Sequence, residues 1–99
     1  MIFDEIDRGV GGAVASAIGE RLARLSEQSQ VLVVTHSPQV AARAAHHYQI
    51  EKSSGAEGTR TSMRKLSETE RREEIARMLS GAAITDEARA QALRLLDAA

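Results

Sequence analysis

Ninety-nine residues, 42% hydrophobic and 27% charged, predict one domain that buries roughly 65% of its unfolded surface. A formal net charge of -1 leaves no general basic field to hold nucleic acid by its phosphates, so any DNA role is expected to be indirect or to belong to other residues. The absence of cysteine excludes disulfides and thiolate metal sites, and no apolar run approaches the length of a membrane span.

Met1 to Phe3 predict a short strand that ends in Asp4-Glu5-Ile6-Asp7. A buried parallel strand ordinarily carries a longer apolar run, so the chain reads as a fragment cut at its start. Acidic Asp4, Glu5 and Asp7 stand where a signal peptide would be basic, and the protein is expected to stay inside the cell. After a Gly9-Val10-Gly11-Gly12 turn, apolar residues recur at Val10, Val14, Ala17, Ile18, Leu22 and Leu25, the spacing of one helical face. Polar Ser26 to Gln30 closes that helix. Val31 to Val34 then predicts a second strand, apolar on both faces as suits a position between helical layers. Strand, helix, strand implies a right-handed parallel crossover.

Ser37 is placed to cap a short helix with Pro38 at its first position and Val40, Ala41 and Ala44 on its inner face. Tyr48 to Glu51 and Thr59 to Lys65 alternate in polarity around a turn at residues 53–58, which predicts a partly exposed hairpin. Ser67 and Glu70 form a capping box before Ile75, Met78 and Leu79, and Gly81 stops that helix. A last helix starts at Thr85, with Asp86 and Glu87 at the positive end of its dipole and Ala88, Ala92, Leu95 and Leu96 on one side. The fold class is therefore α/β, with parallel core strands, a β-hairpin and two C-terminal helices.

The chemistry concentrates at the two strand ends. Phosphoryl transfer is mostly positioning and charge stabilisation, so it needs a carboxylate on magnesium and a group that orients the attacking water. Asp4 suits the metal and Glu5 the nucleophile, provided the turning backbone lets both reach the crevice at the carboxyl ends of the strands. The competing reading makes Asp4, Glu5 and Asp7 a solvated loop. His36 closes the second strand, where an imidazole can donate to a terminal phosphate or equally satisfy a loop carbonyl. Gly9, Gly11 and Gly12 lack the full dinucleotide fingerprint and read as a turn that permits close approach of another chain. His46-His47 points its two rings apart and reads as a surface pair at a helix end. Arg60, Arg64, Lys65, Arg71 and Arg72 are offset by Glu68, Glu70, Glu73 and Glu74, so they read as solvated faces. No Gly-x-x-x-x-Gly-Lys-Ser/Thr loop occurs in the chain, so the cradle for the phosphates is missing.

Three ordered stretches, Ile2 to Gly12, Val33 to Ala41 and Arg72 to Gly81, resemble the C-terminal end of the bacterial RecN family. That family comprises ATPases of DNA double-strand-break repair and recombination, related to SMC and ABC-type proteins. The resemblance implies a P-loop NTPase head of the ABC/SMC type, of which residues 1–99 form the C-terminal lobe. It makes Asp4 the Walker B aspartate on magnesium, Glu5 the catalytic glutamate, Asp7 the D-loop aspartate beside the nucleotide and His36 the switch histidine, both catalytic and nucleotide-facing. ATP and Mg²⁺ would be the cofactors of the complete head. Its partners would be the Walker A lobe of the same protein, a second head in a homodimer, and DNA reached through the parent, in the cytoplasm at the nucleoid and with no membrane. Walker A, the Q-loop, the coiled coil and the Leu-Ser-Gly-Gly signature are absent from the chain, so the fragment alone is expected to be inactive. Arg8, inside the acidic and glycine motif, has no assigned role.

Two other readings stand beside this one. The first is a small metal-dependent phosphohydrolase with Asp4, Glu5, Asp7 and His36 as ligands. The second is a non-catalytic module that associates through an exposed sheet edge.

Overall fold

The computed structural model describes residues 1–81 and 83–98. Its elements run β1 (Ile2–Asp4), α1 (Gly12–Ser26), β2 (Leu32–Val34), α2 (Pro38–Ala41), β3 (Tyr48–Gly55), β4 (Gly58–Lys65), α3 (Glu68–Ser80) and α4 (Asp86–Asp97). The strands form two separate two-stranded sheets. β1 pairs with β2 in parallel, Phe3 opposite Val33 and Asp4 opposite Val34. β3 pairs with β4 in antiparallel register from Tyr48–Lys65 to Gly55–Gly58.

Side chains alternate across a strand, and here only one face of the parallel pair is covered. Phe3, Val31 and Val33 pack with Ile18 onto a small core of Ala15, Leu22 and Val40. Ile2, 74% exposed, and Leu32 remain in solvent on the other face. Of the two helical layers the sequence reading expects around these strands, α1 and α2 supply one, and no element among the described residues supplies the second. The buried face of α1 is also rotated from the one expected. Ala15, Gly19 and Leu22 are buried, whereas Val10 and Val14 are exposed. Gly19 causes the difference, because its missing side chain lets α2 lie against that side of the helix. A Cβ there would stand 3.2 Å from the Gln39 carbonyl oxygen and 3.0 Å from Arg43 Cγ.

A second core joins α2 to the C-terminal helices through Ala41, Ala42, Ile75, Ala76, Ala88 and Ala92. Ile75 is the largest fully buried side chain. α3 starts at the expected capping box, with the Ser67 hydroxyl accepting from Glu70 N–H and the Glu70 carboxylate accepting from Ser67 N–H. It ends at Gly81, whose φ of 80° suits a residue without a side chain. Thr85 caps α4 by accepting from Ala88 N–H at 3.1 Å. Arg89 then reaches across to Glu73 and ties α4 to α3.

Three local expectations need adjustment. The hairpin turn is only Ala56-Glu57, because Ser53 and Ser54 pair with Arg60 and Thr59 where both faces are solvated and polar residues are no obstacle. Ala44 is exposed, and Ala42 takes its place in the core. The Ser37 hydroxyl donates to Gln39 Oε1 instead of capping α2.

Candidate functional site

The parallel register brings the carboxyl ends of β1 and β2 together: Glu5 N–H donates to the Val34 carbonyl at 2.7 Å. From there the two chains diverge into loops that border one open cleft of about 500 Å³. Glu5, Asp7, Arg8 and the glycine turn line one side, and His36, Ser37, Pro38 and Gln39 the other.

Glu5 has a φ of 51°, the one positive value outside glycine among the described residues. A side-chain-bearing residue in this left-handed region costs roughly 1–2 kcal/mol, and such strain gathers at functional sites. The reversal turns Glu5 out of the strand and toward the cleft. There its Oε1 meets His36 Nε2 at 2.9 Å, while Arg8 stands 3.9 Å from Oε2. The imidazole is largely in solvent and the carboxylate about one-third exposed, so the pair is open to an incoming ligand.

Asp7 is the one buried charged residue among the described residues, at 7% exposure. Its Oδ2 accepts from the Thr35 hydroxyl at 2.5 Å, and Thr35 Oγ1 in turn accepts from Ser37 N–H at 2.9 Å. A buried carboxylate is tolerable only when bonded, and these bonds hold the two loops at a fixed separation. Asp7 thus reaches the cleft wall with part of its acceptor capacity already committed.

Asp4 does not join them. It is exposed, still within β1, and by strand alternation lies on the uncovered face with Ile2. Glu5, Asp7 and His36 are therefore brought together, and Asp4 stands at the sheet edge beside them. Among the described residues, no three His, Asp or Glu side chains gather to hold a metal ion.

Thr35 and Gln39 were missed as site residues. The adjacency of Thr35 to His36 was a signal, whereas Gln39 gave none. Its amide packs 3.2 Å from where a Cβ on Gly12 would stand. A side chain at 12 would therefore crowd the end of the Gln39 side chain of this chain's own α2. Gly9 is required by its φ of 79°.

Away from the cleft, His47 is half-buried and not the surface residue expected. Its Nδ1 lacks a hydrogen-bond partner, and burial, aided by the Arg71 charge and opposed by Glu74, pushes its pKa below the ordinary value. No described helix is long and apolar enough to cross a membrane.

No family model matches the chain. Whole-sequence relatives do: it is 49% identical over 96 residues to the DNA repair protein RecN of Rickettsia bellii, 56% over 81 residues to that of Deinococcus radiodurans, and 52% over 99 residues to that of Mycobacterium leprae. These alignments cover 97%, 82% and 100% of the chain, but only 18%, 14% and 16% of the respective relatives. Among solved structures, one described under ATP-driven dimerization and DNA-stimulated activation of SMC ATPases superposes with a TM-score of 0.69 at 18% identity. The match covers 84% of this chain and 49% of that one. That likeness shows the fold alone, one shared with about half of the solved SMC chain. At about half identity along nearly its whole length, the chain belongs to the RecN family as a segment about a sixth as long as the Rickettsia and Mycobacterium relatives.

Proposed function

We propose that these residues are the C-terminal lobe of a RecN-like ATPase head acting in DNA double-strand-break repair and recombination, and that they supply one side of a composite ATP site. The observation that carries this is the Glu5–His36 pair, 2.9 Å apart where the ends of two parallel strands open into a cleft. Ligands of open α/β sheets bind at such carboxyl ends. Glu5 is the base that orients and deprotonates the attacking water, and His36 is the donor to the terminal phosphate. Their present contact keeps each side chain aimed at the other until a nucleotide separates them. Asp7, with a lone pair still available at the cleft wall, faces the nucleotide.

The fit to ATP and magnesium is partial, and its incompleteness is informative. The cleft offers a base and an imidazole, but its one full cation is the exposed Arg8, and no phosphate-cradling loop is present. Asp4 is the residue that would hold Mg²⁺, with the remaining ligands coming from the nucleotide and from another lobe; the ion would neutralise charge on the transferred phosphoryl group. The uncovered face of Ile2 and Leu32 is apolar surface of the kind a Walker A lobe would bury. The same reading takes a second head as partner in a homodimer. It assigns DNA contact to the rest of the parent and places the work in the cytoplasm at the nucleoid.

The experiment is ATP turnover by a full-length RecN carrying this segment with Glu5→Gln. A general base contributes about 10² to 10⁴ in rate. Turnover should fall by that much with ATP binding retained, and unchanged turnover defeats the assignment.

A further inference from the structure

α2 begins directly after the His36-Ser37 turn and is a single turn, held internally by Ala41 N–H to the Ser37 carbonyl and Ala42 N–H to the Pro38 carbonyl. It is gripped from two sides. Gly19 admits it against α1, as described above. On the opposite side Arg71 of α3 donates through Nη2 to the carbonyl oxygens of Ala41 at 3.0 Å, Ala42 at 3.1 Å and Ala44 at 2.5 Å. A guanidinium there bonds the Ala42 and Ala44 carbonyls, adds a second donor to the Ala41 carbonyl that already accepts from Ala44 N–H, and sits at the negative end of the helix dipole. Arg71 has no carboxylate partner among the described ion pairs, and its Nε is buried without a hydrogen bond. Its desolvation is therefore offset by those carbonyls rather than by a salt bridge.

From this grip a continuous set of hydrogen bonds leads to the cleft. Arg71 holds the Ala41 carbonyl, Ala41 N–H donates to the Ser37 carbonyl at 3.0 Å, Ser37 N–H donates to Thr35 Oγ1, and Thr35 donates to Asp7. His36 lies between Thr35 and Ser37.

We propose that Arg71 is a positioning residue for His36: by fixing the far end of α2, it keeps the Thr35–Ser37 turn in the conformation that aims the imidazole at Glu5. This rests on the reading of His36 given above. It makes α3 part of the catalytic apparatus and not merely a cover for it.

The test is a double-mutant cycle on ATP turnover in a full-length RecN carrying this segment, with Arg71→Met, Arg71→Lys, His36→Ala and the combinations. A misplacement of about 1 Å can cost as much as 10²-fold, so Arg71→Met should lower kcat about 10- to 100-fold with KM for ATP within about twofold. Arg71→Lys, whose ammonium is a point donor without the guanidinium's planar fork, should restore part of the loss. In the His36→Ala background the Arg71 substitutions should add nothing. Losses that multiply, or wild-type kcat in Arg71→Met, overturn the proposal. Should circular dichroism show that Arg71→Met fails to fold, the cycle with Arg71→Lys decides by the same criterion. The two levels separate cleanly. Unchanged turnover in His36→Ala sinks the site assignment and this inference with it, whereas a His36 defect with independent Arg71 losses sinks only the inference.

Discussion

The Thr35 hydroxyl reaches across the gap between two loops to Asp7 Oδ2 at 2.5 Å, and this bond is what lets a carboxylate sit almost wholly buried beside the candidate site. Removing one partner of such a bond exposes the other to the full desolvation penalty. Thr35→Val should destabilise the chain by about 1–3 kcal/mol, read from urea unfolding, whereas Thr35→Ser keeps the hydroxyl and should cost much less. Equal losses in the two variants would mean that the methyl group, not the bond, matters.

Glu5 holds a backbone conformation that disfavours any residue with a side chain. Glu5→Gly should therefore raise stability, by about 1 kcal/mol, while removing the proposed base. A Glu5→Gly variant melting below the wild type would show that the His36 contact outweighs the strain.

The C-terminal core should be the most sensitive part of the chain. Ile75 is fully buried among alanines, so Ile75→Ala should cost about 2–5 kcal/mol. Ser67→Ala, which removes one half of the capping box, should cost about 1 kcal/mol. Thermal unfolding of both variants gives the comparison, and the reverse ranking would contradict the packing described.

His47 supplies a pH dependence whose sign is fixed by its surroundings. Burial, with Arg71 nearby, favours the neutral imidazole and lowers its folded pKa below the ordinary 6.5. The unfolded chain then binds more protons than the folded one at low pH, so this contribution is complete above about 6.5 and is lost as pH falls through that value toward the folded pKa. Chemical denaturation between pH 8 and about pH 5 should show a decline that His47→Gln reduces. Glu70 acts at more acid pH. Its bond to Arg64, together with the Ser67 cap, lowers its pKa to about 2, so its contribution persists above the usual carboxylate range and disappears as pH falls toward 2.

Much of this was legible in the sequence wherever one local rule decided the outcome. Ser67 with Glu70, Gly81 and Thr85 each marked a boundary that the structure keeps, and the alternation over Tyr48–Glu51 and Thr59–Lys65 marked the outer ends of the hairpin though not its shorter turn. Two strands ending in Asp-Glu and Thr-His also announced a shared cleft. What periodicity missed depends on neighbours. The buried stripe of α1 is set by Gly19, which scores as a weak helix residue and matters only because α2 lies upon it. Asp4 and Glu5 looked equivalent as adjacent carboxylates, yet a single reversed dihedral at Glu5 sends one toward His36 and leaves the other on the strand. The Arg71 grip was invisible for the same reason, since its acceptors are backbone carbonyls about thirty positions earlier and carry no residue-type signal.

The β3–β4 hairpin packs almost entirely against itself, its base closed by Leu66 N–H to the His47 carbonyl and its tie to α3 made by Gln49 and Arg64. A lone pair of strands is at best marginally stable in water. Limited proteolysis should accordingly cut first near Ala56-Glu57, and deuterium should enter those ladder amides long before it reaches Ile75. In this segment, durability resides in the helices and susceptibility in the ribbon.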